Sequence, residues 1–167
     1  MLATLASALR PAAAALSIAA LLCASAQAAD TPADPPPGKA DKLGAARAAI
    51  AAKKWPAALT ELKKVNDTGS ADWNNLMGFA LRKNTPPDLA QSEHYYDAAL
   101  KVDPNHKGAL EYSGELYLMT DRLPQAESRL ATLDKVCASG CEERDELKKA
   151  VARYKAAGNK YVADARW

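Results

Sequence analysis

The chain has 167 residues, with 22 Lys plus Arg against 20 Asp plus Glu and a formal net charge of +2. That near balance, with no basic stripe interleaved with aromatics, argues against nucleic acid as a partner. Three cysteines and 49% hydrophobic residues fit one domain of ordinary composition.

In chain order, residues 1–28 read as a secretory signal peptide. Arg10 supplies a positive charge, Pro11 to Cys23 is an apolar run, and Ala26-Gln27-Ala28 is a small-x-small cleavage pattern. The run is too short and too rich in alanine for a comfortable membrane span, which disfavours a retained anchor. A lipid-modified Cys23 is disfavoured too, because the bulky Leu22 stands where a lipobox sequence carries a small residue. The expected product is periplasmic or secreted, starts near Ala29, and has no stable membrane insertion after cleavage. Without Arg10 it has 21 Lys plus Arg against 20 acids. Residues 29–40, with four prolines between Pro32 and Pro37, form an extended, solvated linker.

From Trp55 to Lys135 the sequence repeats itself. Ala58, Leu62 and Val65 recur 34 residues on as Ser92, Tyr96 and Ala99, and again as Ala126, Leu130 and Leu133. Each triplet is preceded by an apolar residue (Trp55, Leu89, Leu123), and Pro56 and Pro124 share one phase of their units. Proline suits the first turn of a helix, where its missing N–H is no loss. The spacing predicts paired helices over Asp41–Ala52 and Pro56–Val65, Trp73–Arg82 and Leu89–Val102, and Lys107–Met119 and Pro124–Val136. Asp72 is the expected N-cap of the third helix. A seventh helix, Glu142–Ala157, starts acidic and turns basic in accord with its dipole. Its stripe of Leu147, Val151 and Tyr154 suits a cap on a helical stack.

These units resemble tetratricopeptide repeats. The second carries Met77-Gly78, Leu81, Ser92, Tyr96, Ala99 and Pro104; the third carries Leu110, Gly114, Tyr117, Ala126, Leu130 and Leu133. In the first unit Ala46 replaces the glycine, and two extra residues fall around Pro86-Pro87. The resemblance covers Asp41 to Val136. It implies an all-α solenoid of three helix pairs plus a C-terminal capping helix, occupying residues 41–157, with a tail at 158–167. Small residues at Gly78, Gly114, Ala58, Ser92 and Ala126 would let helices approach while Leu62, Tyr96 and Leu130 fill the gaps.

The resemblance also implies a concave groove lined by the first helix of each unit. Leu43, Arg47 and Ile50, then Asn75, Phe79 and Arg82, then Glu111, Glu115 and Leu118 fall on that line. They form an apolar strip with a basic and an acidic end. Phe79, the only phenylalanine, is either an exposed anchor or core. The expected function is an exported interaction adaptor or scaffold of the cell envelope, with another protein or peptide segment as partner; burial in a larger assembly is a blander option.

Cys137 and Cys141, in an exported chain, read first as a disulfide, with Gly140 allowing the turn between them. The competing reading is thiol-redox or copper handling by the Cys-x₃-Cys pair, with His94 and His106 as further candidate ligands. No phosphate loop, His-x-x-x-His pair or nucleophile elbow is present, so no catalytic residue, metal or cofactor is assigned and the chain is not expected to be an enzyme.

Overall fold

A computed structural model describes residues 41–163; the expected leader, the linker and residues 164–167 of the tail lie outside the described residues. Among the described residues there are seven α-helices and no strand: α1 Gly44–Ala51, α2 Trp55–Val65, α3 Ala71–Lys83, α4 Leu89–Val102, α5 Lys107–Met119, α6 Leu123–Val136 and α7 Glu142–Ala156. Helix α1 starts later than its periodicity suggests. The Asp41 side chain accepts from the Leu43 N–H and its carbonyl accepts from Gly44, so Asp41 turns the chain into the helix from outside.

Local chemistry sets the other boundaries. Pro56 and Pro124 sit in the first turns of α2 and α6, and Asn66, in the left-handed conformation at φ 48°, stops α2. Asp88 caps α4 by accepting from Gln91 N–H. The cap of α3 is Ser70, which accepts from Trp73 N–H at 3.2 Å, and not Asp72. Ser70 has the extended backbone an N-cap requires, whereas Asp72 is already inside the first turn. There its carboxylate favours the helix dipole and receives Arg47 at 2.9 Å and His106 at 2.9 Å.

Each helix packs on its chain neighbour, and the odd-numbered helices also touch in sequence: α1 on α3, α3 on α5, α5 on α7. Against the third pair, helix α7 packs mainly on α5 and less on α6, whereas against the second pair α5 packs mainly on α4 and only lightly on α3. One apolar cluster joins Leu43, Ala46, Ala58, Leu62, Trp73 and Met77; another joins Tyr96, Leu110, Leu116, Leu133, Leu147 and Tyr154. Trp73 donates its indole N–H to the Leu62 carbonyl at 2.7 Å, so its one polar atom is satisfied inside the first cluster.

The repeated small residues mark the closest approaches. Ala58, Ser92 and Ala126 are each 0% exposed. A Cβ on Gly78 would stand 2.8 Å from the Tyr96 ring, and one on Gly114 would stand 2.6 Å from Leu147. Ser92 turns the close approach to advantage by donating to the Gly78 carbonyl at 2.6 Å.

Polar contacts repeat the same offset. Asp72–His106, Arg82–Glu115, Asp97–Arg129 and Asp121–Tyr154 join residues 34, 33, 32 and 33 positions apart. Each therefore crosses a similar length of chain, from α3 to α5, from α4 to α6 or from the turn after α5 to α7. After α7 the chain turns at Gly158 and Asn159, both at positive φ, and Tyr161 and Val162 line a pocket with Glu115, Leu118 and Tyr154.

Gly114→Val should overpack α5 against Leu147 and lower stability by about 1–3 kcal/mol, read as a lower urea midpoint at unchanged slope. Gly69→Ala, where nothing lies within 4 Å of the added carbon, should leave the midpoint almost unmoved.

Candidate functional site

The three residues Asn75, Phe79 and Arg82 share one face of α3, and Glu111, Glu115 and Leu118 share one face of α5, because each set follows an i, i+4, i+7 spacing. Contact between α3 and α5 brings the two faces together. Arg82 Nη1 donates to Glu115 Oε2 at 2.7 Å, with side chains 1% and 7% exposed. The guanidinium also lies 5.7 Å from the Phe79 ring and 5.6 Å from the Tyr112 ring, and the two rings are 4.6 Å apart. Trp55 meets Phe79 edge-on at 5.9 Å.

The expected strip is therefore closed over itself. Leu43, Asn75, Phe79, Arg82, Glu111, Glu115 and Leu118 are all buried, Ile50 is half-buried, and Arg47 alone of the nine is exposed, paired with Asp72. Phe79 is core. Arg82 and Glu115, expected as the basic and acidic ends of a solvated strip, neutralise each other instead. Two charges so close to the chain's interior are held because each leaves the other compensated; removing one partner from such a pair typically costs about 3–5 kcal/mol. Burial alone would lower the Arg82 pKa, but Tyr96 and Glu115 beside it raise it and keep it charged. Burial in turn pushes the Tyr96 phenol up to about 12.

Glu111 differs from its neighbour one turn on. It is 4% exposed. No hydrogen bond or ion pair to its carboxyl is formed among the described residues. Burial, then the charge of Glu115, pushes its pKa up to about 8. It lines a cavity of about 130 Å³ together with Tyr112, Glu142, Glu143 and Glu146. Sequence reasoning missed this grouping. The acidic start of α7 was readable only as a match to its own helix dipole, and nothing in the spacing shows that α7 lays that start beside Glu111.

Cys137 and Cys141 form a disulfide, with sulfurs 2.07 Å and Cα atoms 5.6 Å apart. The bridge spans the end of α6 and the residue before α7, with Gly140 at φ +99° supplying the turn. His106 caps α5 by accepting from Ala109 N–H at Nδ1, with Nε2 directed to Asp72, and His94 packs edge-on against Tyr95. The structure does not bring either histidine into a cluster with the cysteines: no group of three His, Cys, Asp or Glu side chains is arranged for a metal among the described residues. No described helix is long and apolar enough to cross a membrane. Compared with family models, with curated proteins and with solved structures, the chain matches none.

The raised Glu111 pKa fixes a sign. The folded state holds the proton between the usual carboxyl value and about 8, so the stability it carries is full at low pH and is lost as pH rises through that window. Glu111→Gln should therefore raise the urea midpoint relative to the parent at pH 9 and change it little at pH 5. For the bridge, iodoacetamide should leave Cys137 and Cys141 unlabelled in the denatured, unreduced protein. The Cys137→Ser, Cys141→Ser pair should cost roughly 2 kcal/mol, as expected for so small a ring.

Proposed function

We propose that the chain is a tetratricopeptide-type helical stack that acts as an exported interaction adaptor or scaffold in the cell envelope. The observation that carries this reading is the set of side-chain bonds joining residues 32 to 34 positions apart. These bonds join α3 to α5, α4 to α6 and the turn after α5 to α7, while Arg47–Asp72 joins α1 to α3; helices linked in that way are consistent with a stack that offers one continuous face to a partner segment. The leader-like residues 1–28 support work outside the cytoplasm, where the Cys137–Cys141 bridge would persist.

Because Phe79, Arg82 and Glu115 are buried in one another's company, a partner would meet the rim of the odd-numbered helices: Arg47 on α1, the half-buried Tyr112 on α5 and the start of α7. Thiol exchange or copper handling has weaker support, since Cys137 is 3% exposed and its sulfur is held in the bridge.

A photo-crosslinking amino acid placed at Arg47 or Tyr112, in protein expressed in its own envelope, should trap a discrete partner. The same group at the exposed Lys101 or Asp134, on even-numbered helices, should not. Equal trapping at all four positions, or trapping at the even helices only, would count against the adaptor face.

A further inference from the structure

We propose that the cavity between α5 and α7 receives the cationic end of a lysine or arginine side chain carried by a partner segment. This rests on the adaptor reading above, and it names the chemistry of what is adapted.

Five residues line the cavity: Glu111, Tyr112, Glu142, Glu143 and Glu146. Four carboxyl groups in one place would not by themselves make a site. Two of them, Glu142 and Glu143, occupy the first turn of α7, where the helix dipole favours them. Glu146 receives Lys149 at 3.0 Å, and Glu115, just behind, is bound to Arg82 at 2.7 Å. Glu111 is the exception. Its side chain is more than nine-tenths buried and faces the cavity, and no donor among the described residues reaches it. Its carboxyl therefore opens onto the cavity, where an entering cationic donor meets an acid that no described side chain engages.

The lining favours an organic cation over a metal ion. The carboxyl groups are spread around the cavity and are not drawn into a coordination cluster. Tyr112 borders the cavity and gives an apolar wall against which a methylene stem can lie. A volume of about 130 Å³ admits one side-chain end and not a folded segment. No lysine or arginine is among the described lining residues, and the nearest guanidinium on α3, that of Arg82, is already bound to Glu115.

Binding should be linked to protons. The groups facing Glu111 are Arg82 from α3, Tyr112 and Glu115 from α5, and Glu142, Glu143 and Glu146 from α7. Burial and the surrounding negative charge keep Glu111 protonated when the cavity is empty, with a pKa of about 8. An entering cation favours the carboxylate, so a proton leaves to the buffer, and affinity should rise as pH increases from 6 to 8.5.

The test is an NMR titration of the full chain with Nα-acetyl-lysine methylamide, Nα-acetyl-arginine methylamide and the uncharged norleucine analogue, at constant ionic strength. Saturable shifts at the amides of Glu111, Tyr112, Glu142 and Glu143 are expected with the two cationic probes and not with norleucine. Affinity should fall on the order of tenfold in Glu111→Gln, a loss of about 1.4 kcal/mol, and Glu143→Gln should weaken it in the same direction. Equal shifts with norleucine, no saturation by either cationic probe, saturation by calcium chloride in place of the amines, or full binding by a folded Glu111→Gln would each overturn the assignment. Probe binding together with indiscriminate crosslinking at all four positions would keep the cation pocket and remove the adaptor face. Selective crosslinking with no probe binding would do the reverse.

Discussion

Two helices can come within contact of each other's backbones only where one of them lacks a side chain, and this protein is assembled around such places. Gly78 leaves room for the Tyr96 ring, and Gly114 leaves room for Leu147. Ala58, Ser92 and Ala126 supply the same economy of volume at one phase of each unit. The result is a set of short helices, none longer than 15 residues among the described ones, that would be marginal alone in water. They gain their stability from faces pressed together at close range. Ser92 adds direction to that contact, because its hydroxyl bonds the backbone of the helix it approaches.

Electrostatics is layered on this frame in two ways. On the outside, pairs such as Arg122 with Glu93 and Arg129 with Asp97 link successive units at partly exposed positions, and such pairs are individually weak. Inside, Arg82 and Glu115 form a pair removed from solvent, with the guanidinium beside the adjoining Phe79 and Tyr112 rings. An interior ion pair adds little net stability over a well-packed apolar substitute, but it strongly penalises any arrangement that separates its members. At the α3–α5 contact it therefore acts as a register device: a slip of one residue would strand a guanidinium.

Much of the secondary structure was legible in the sequence, because it follows from local chemistry. Proline at a helix start, Asn66 at a helix end and the 34-residue recurrence of small and large apolar residues placed all seven helices to within a few positions. Ser70 and Asp72 are both residue types that cap helices, and only the backbone conformation at Ser70 decides between them. What could not be read was the depth of the line from Asn75 to Leu118. Periodicity tells which side of its own helix a residue occupies. It does not tell how near the next helix comes, and that distance turned Phe79, Arg82 and Glu115 from rim into interior. The grouping of Glu111 with Glu142 and Glu143 is a product of the same unreadable distance.

Cys141 stands immediately before Glu142, so the sulfur bridge does more than join two helices. It pins the opening turn of α7, and with it the position of two carboxylates above Glu111. Reduction would allow that turn to fray and the negative charges to drift outward. Glu143 is only a lesser cause of the raised Glu111 pKa, after burial and the Glu115 charge, so that acid would feel the loss of the bridge weakly.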